Sequence, residues 1–299
     1  MHDVLHHLLH AGEHTLSETL RLLPFLFLSY LLMEYLEHRS GNAAENWLKR
    51  SGNIGPLVGG AFGVLPQCGF SAAASGLYTA RIITTGTLLA VYLSTSDEML
   101  PILISSGAPL PFILKILATK LTVGIAAGFA VDLLARAFRK KHRRKEPQPQ
   151  IEEICERENC ACEGHFVLSA LKHTLRITLF LLLFGFLMNF AVEMIGEDTL
   201  ASLVLNRPLL SNLLASCVGL IPNCASSVIL TELYLEGIIS VGAMLSGLLV
   251  NAGIGLALLF RNNRPVRDSF RILLLLFCIG TAVGILIDLT PLSALLAMH

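Results

Sequence analysis

Two short strings in the chain share an unusual chemistry. "GVLPQCGFS" runs from Gly63 to Ser71 and "GLIPNCASS" from Gly219 to Ser227, and each sets a proline, an amide and a cysteine inside apolar sequence. Pro66 and Pro222 carry no backbone N–H, so carbonyls near them lose a helical partner and can face an ion or a polar group. Cys68 and Cys224 offer soft sulfur, while Gln67 and Asn223 offer a hard oxygen or a donor. With Ser71 and Ser227 they form a candidate site for a metal ion or a small polar substrate. A plainer reading is that proline bends the chain and cysteine packs as a small apolar residue.

"STSDEMLP" (Ser94 to Pro101) supplies a second group. Asp97 and Glu98 are adjacent carboxylates in an apolar stretch, and an intramembrane carboxylate is costly enough to suggest a function, here holding a metal. The other reading has them cap a helix end at the outer surface. Thr95 pairs with Asn251 in the register given below, which keeps an oxygen at both places, and Pro101 with the Ser/Thr run suggests a helix break. Glu34 and Glu193 each follow a long apolar run and could relay protons or hold a cation, or be interfacial charges. Asp132 and Asp288 fall at span ends, where capping is the simpler role. Cys155, Cys160, Cys162 and His165 are close enough to chelate a metal, but their spacing fits no standard zinc module. His2, His6, His7, His10 and His14 could gather metal or line a wet helix face.

The elements that must position these residues follow from composition. The 299 residues are 54 % hydrophobic and 15 % charged, with a mean hydropathy of +0.66. A soluble domain carries about a quarter charged residues. Charges here are clustered, leaving apolar runs that reach the roughly 20 residues needed to cross a bilayer. The chain therefore reads as an all-α, multi-pass membrane protein. Its net charge of zero gives no reason to expect a nucleic-acid partner. The N-terminus lacks the basic region and cleavage site of a signal peptide, and seven cysteines, four in apolar sequence, argue against a disulfide framework. There is no nucleotide-binding G-x-x-x-x-G-K-[ST] loop. No His or nucleophile sits at useful spacing from the carboxylate pair, so an enzyme is not expected, nor a cofactor beyond a metal ion as substrate.

A shift of 156 residues places Gly63, Pro66, Cys68 and Ser71 on Gly219, Pro222, Cys224 and Ser227. Without a gap it also places Tyr78 on Tyr234, Gly86 on Gly242, and Gly124, Gly128 and Asp132 on Gly280, Gly284 and Asp288. Upstream the shift becomes 159, pairing His14-Thr15-Leu16 with His173-Thr174-Leu175. The chain thus divides into a first repeat at 1–135, a basic, Cys-containing linker at 136–165, and a second repeat at 166–299. Each half holds three spans, at 18–37, 82–105 and 109–135 and at 168–195, 237–260 and 270–289. Between the first and second lies the Pro-Cys region, whose limbs in the first half (54–65 and 68–80) are each about 18 to 20 Å long as helices. That is too short for a full span, so a hairpin or re-entrant loop is expected.

Basic loops stay on the cytoplasmic side. This rule puts the linker (Arg136 to Lys145) and the loop Arg261 to Arg271 inside, so the Pro-Cys region contributes zero or two crossings. Arg81 then lies inside and Glu236 outside, both termini lie outside, and the halves are inverted in the cytoplasmic membrane. Inverted repeats with discontinuous helices at mid-depth are the layout of secondary transporters, and a homodimer is compatible with it.

The doubled G-x-x-P-[QN]-C strings, "STSDE" followed by a proline, and "LLPFLFLSYLLMEYLEH" resemble the ten-transmembrane heavy-metal exporters, often labelled manganese transporters or arsenic efflux proteins. The chain is more distantly similar to organoarsenical permeases. The resemblance implies export of a divalent or soft metal, with manganese favoured, and ten segments if both hairpin limbs are counted. The alternative is a small organic or organometalloid substrate such as an organoarsenical.

Overall fold

Thr84 and Ser240 start two helices in the same way: each side chain accepts from the backbone N–H three residues on, at Thr87 and Ala243. That is the N-cap arrangement, which satisfies one of the donors a helix start leaves over. The computed structural model describes residues 54–65, 68–96, 98–141 and 208–296, with isolated positions between Leu16 and Leu31 and between Leu171 and Leu187. Within the continuous segments the helices are α1 (Ile54–Gly63), α2 (Cys68–Thr79), α3 (Thr85–Ser94), α4 (Met99–Ser105), α5 (Leu110–Lys141), α6 (Pro208–Gly219), α7 (Ala225–Leu235), α8 (Val241–Val250), α9 (Ile254–Asn262), α10 (Val266–Leu289) and α11 (Leu292–Leu296). No strand occurs among the described residues. Shifting α3 by 156 gives the bounds of α8, and α5 and α10 start 156 apart. At the isolated positions, buried Thr19 and exposed Leu16 and Leu20 match buried Thr178 and exposed Leu175 and Leu179, 159 residues on.

Four stretches are long and apolar enough to cross a membrane: Thr85–Ser105, Leu110–Ala137, Val241–Asn262 and Val266–Leu289. The first and third are each two helices around a break, where sequence suggested a break only in the first. Pro101 does not make it. The chain unwinds earlier, at Thr95 and Ser96, and Pro101 is the third residue of α4, where a missing N–H costs nothing. In the second half Gly253 (φ +52°) sits between α8 and α9. The α8–α9 window is 94 % buried, whereas those of α5 and α10 are 33 % buried and show Leu114, Leu133, Leu274 and Leu286 outward. Unwound backbone is thus kept inside protein, the only place a bilayer allows it.

α10 sets a ruler through the bundle. Asp268 in its first turn and Asp288 in its last are about 30 Å apart at 1.5 Å per residue. Tyr78 and Arg81, at the end of α2, bond Asp268, while Ser240 bonds Asp288. Residues 81 and 240, at matching turns of the two halves, therefore lie at opposite ends. Lys115 near the start of α5 donates to the Leu295 carbonyl at 2.7 Å, so α5 runs against α10 and ends at the Asp268 level, the linker end.

The chain on either side of each Pro-Cys region meets the same long helix near one of its ends. Asn212 Nδ2 and Ser240 Oγ both donate to Asp288 Oδ2, at 2.6 and 2.7 Å, so the chain between them returns to one carboxylate. In the first half, Pro56 lies against Gly128 and Thr84 bonds Asp132 one turn along. α3 lies along α5 at the glycine pair Gly86 and Gly128, and α8 along α10 at Gly242 and Gly284, where a Cβ would strike the facing carbonyl.

Both cores mix the two halves. Met99, Leu103, Phe112 and Ile116 pack with Leu230, Leu233, Met244 and Leu245. Tyr78, Leu88, Tyr92 and Leu93 pack with Leu249, Leu256, Leu259 and Ile272.

Candidate functional site

The second proline string is folded by its own side chains. α6 ends at Gly219, the Asn223 N–H bonds the Ile221 carbonyl at 2.7 Å, and Asn223 Oδ1 accepts from the Ala225 N–H at 3.4 Å. Ser226 Oγ donates to the Asn223 carbonyl and Ser227 Oγ to the Cys224 carbonyl, at 2.8 and 2.7 Å. Asn223, Cys224 and Ser227 are all buried. In the first string, Pro66 and Gln67 lie outside the described residues, while Cys68 begins α2 and Ser71 is fully buried.

The halves exchange partners here. α2 packs on α9, and α7 packs on α4. The backbone of Ser71, in the first turn of α2, leaves no room for a side chain at Gly255, in the first turn of α9. The Gly255 carbonyl accepts from Ser75 Oγ at 2.7 Å and Tyr92 Oη at 3.1 Å, and those two hydroxyls lie 2.7 Å apart. A polar cluster is thereby closed from α2, α3 and α9 with no water needed.

At the first break, Ser96 Oγ donates to the Val64 carbonyl of the first string at 2.5 Å, tying the tip to the unwound segment. Thr95 is buried and its hydroxyl donates to the Val91 carbonyl at 2.7 Å. Glu98 holds the N-cap position of α4 with no side-chain cap bond, and Asp97 lies outside the described residues. Glu34, Glu193, Cys155, Cys160, Cys162, His165 and the five N-terminal histidines lie outside them too. At the second break, buried Asn251 turns its Oδ1 to the Gly253 N–H at 2.8 Å. Its Nδ2 has no partner. The amide therefore presents an open donor beside the oxygen that the sequence offers as a ligand.

Sequence reasoning passed over Lys120. It sits within α5, is 1 % exposed, and donates from Nζ to the Leu248 carbonyl at 2.6 Å. Leu248 is in the last turn of α8, whose carbonyls lack intrahelical partners and carry the negative end of the helix dipole. A lysine well inside an apolar span, a turn and more beyond Lys115, was the signal available. Asp132 and Asp288 serve the fold: each accepts the N–H of Gly86 or Gly242 on one oxygen and the Thr84 or Ser240 hydroxyl on the other.

Helix ends meet between the two ends of the bundle. α3 and α8 stop there, α2, α4, α7 and α9 start there, and a buried ammonium, amides and hydroxyls gather around them. Among the described residues no group of three His, Cys, Asp or Glu side chains is placed to hold a metal. No curated protein and no solved structure matches the chain. A family model described as "Putative, 10TM heavy-metal exporter" matches residues 22–199, more than half of the 299, and the chain belongs to that family of multi-pass membrane transporters.

Proposed function

We propose that the protein exports a heavy-metal species by alternating access, with the cargo held at mid-depth where both hairpin tips and both broken helices meet. The observation that carries this reading is the close approach of Ser71 to Gly255, which joins the hairpin limb of one half to the broken helix of the other. Matching elements recur 156 residues apart, and matching turns lie at opposite ends of α10. This supports two inverted repeats, 1–135 and 166–299, joined by the linker 136–165. The Pro-Cys hairpins then re-enter without crossing. The basic linker puts its end of the bundle in the cytoplasm, with both termini outside the cell.

Manganese is the favoured cargo, taken by Asp97 and Glu98 with Thr95, and by Gln67, Cys68, Ser71, Asn223, Cys224 and Ser227 at the tips. Glu34 and Glu193 relay the coupled ion, and Cys155, Cys160, Cys162 and His165 form an accessory linker site. The second reading is an organometalloid bearing oxygen. It is favoured by the unpartnered Asn251 Nδ2, a donor that suits an acceptor on the cargo.

Purified protein in liposomes, assayed for flux of manganese, zinc, cadmium and a trivalent organoarsenical, tests both. Manganese flux that Asp97→Asn abolishes supports the first. Flux of the arsenical alone moves the assignment to the second, and no flux of any of them overturns both.

A further inference from the structure

The two ends of the bundle are closed at matching places by opposite chemistry. At the linker end, Asp268 Oδ2 accepts from Tyr78 Oη at 2.7 Å, from Asn263 Nδ2 at 3.2 Å and from the Arg81 guanidinium at 3.4 Å. That guanidinium also donates to the Arg264 carbonyl and lies over the Tyr78 ring, 5.3 Å from its centroid. Tyr78 and Arg81 belong to the first half, and Asn263, Arg264 and Asp268 to the junction of α9 and α10 in the second. Shifting Tyr78 forward by 156 gives Tyr234, and shifting Asp268 back gives Phe112. Those two rings stack at the far end, with centroids 5.6 Å apart and planes within 6°. The same joint is ionic at one end and apolar at the other.

Backbone geometry marks Arg81 as held in place. Its φ is +60°, in the left-handed region that side chains avoid, and its counterpart Gly237 adopts +74° without that penalty. An arginine kept where the other half uses glycine is retained by what its guanidinium touches.

We propose that Tyr78, Arg81 and Asp268 form the linker-end gate of the transport path, and that Tyr234 and Phe112 form the far-end gate. This rests on the alternating-access reading above. α2 touches α9 at mid-depth through Ser71 and Gly255, and Tyr78, Arg81 and Asp268 form a latch that fastens its end again, to the junction of α9 and α10. Breaking the latch lets α2 leave α9 around the mid-depth contact and opens the depth of Cys224 to the linker end, while the ring stack keeps the far end shut. Breaking the stack does the reverse.

Cys224, 2 % exposed, is a native reporter. Vesicles of both orientations are treated with a membrane-impermeant maleimide, and the Cys224 peptide is followed by mass spectrometry, so other cysteines do not interfere. Asp268→Asn and Arg81→Gln should raise labelling from the linker side at least fivefold and leave the far side at the wild-type rate. Phe112→Ala should raise far-side labelling alone, and the exchange Arg81→Asp with Asp268→Arg should bring linker-side labelling back toward wild type. Unchanged labelling in folded single variants overturns the proposal. Should those variants fail to fold, Tyr78→Phe removes one hydrogen bond only and should give a smaller linker-side increase; no increase overturns it equally. The reagent needs no cargo, so absent metal flux would defeat the export reading and leave this measurement standing.

Discussion

The Lys120 ammonium lies 2.6 Å from the Leu248 carbonyl, joining the third span of one half to the end of a broken helix in the other. A buried charge of this kind is tolerated only with partners, and removing one side leaves the other desolvated. Lys120→Met should therefore lower stability by about 1–3 kcal/mol, the cost of leaving a buried acceptor unsatisfied. It should also cut flux more than that loss explains. Thermal unfolding in detergent beside transport per folded molecule separates the two effects, and Lys120→Arg should restore stability better than flux, because a planar fork does not replace a compact ammonium.

Asp132 and Asp288 make parallel predictions for the fold. Each carboxylate accepts a glycine N–H and an N-cap hydroxyl, and Asp288 also accepts from Asn212 Nδ2, so Asp132→Ala and Asp288→Ala should each cost roughly 3–6 kcal/mol, from two or more hydrogen bonds to a charged acceptor. They sit at opposite ends of the bundle, so the double variant should be close to additive, within about 0.5 kcal/mol. Cargo selectivity, read from competition flux, should not change.

Much of this framework was legible in the sequence because a repeat constrains itself. The shift of 156 sets Gly86 on Gly242 and Gly128 on Gly284, and in each half the two glycines so marked, Gly86 with Gly128 and Gly242 with Gly284, are where two helices touch. A break near Thr95 was visible because a Ser/Thr run and Pro101 interrupt an apolar stretch, although the chain unwinds before Pro101. The break at Asn251 was not, since "VNAG" reads as apolar sequence with one amide. Lys120 escaped because its span is apolar enough on average to hide it, together with Lys115 and Asp132. The exchange of α2 onto α9 and of α7 onto α4 could not be read at all, because periodicity fixes which face of a helix is apolar and not which helix covers it.

Glycine substitution separates close packing from simple helix content. Gly128→Ala drives a methyl against the Gly86 carbonyl and the Pro56 side chain, and Gly284→Ala drives one against the Gly242 carbonyl. Overpacking of this sort costs about 1–3 kcal/mol or more, and little folded protein should elute from size exclusion. Gly76 lies in α2 with nothing within 4 Å of where its Cβ would be. Gly76→Ala should be stabilising by roughly 0.4–1 kcal/mol through helix propensity. If Gly76→Ala proves as damaging as Gly128→Ala, the helix contacts assigned here are wrong.

Asn251 offers the sharpest test of what the cargo presents to the protein. Its Oδ1 is committed to the Gly253 N–H and its Nδ2 is buried without a partner. Asn251→Asp keeps the acceptor for Gly253 and replaces the open donor with a second oxygen. For a bare divalent cation this adds a hard ligand, and apparent affinity should rise. For a cargo that meets the segment with its own oxygen, a donor is lost and two acceptors face each other, which should weaken binding by about tenfold, or about 1.4 kcal/mol. The sign of the change in half-saturating concentration, measured for manganese and for a trivalent organoarsenical on the same preparation, assigns the cargo class. Asn251→Leu removes both functions. It should slow flux of either cargo, because the turn between α8 and α9 then loses its bond to the Gly253 N–H.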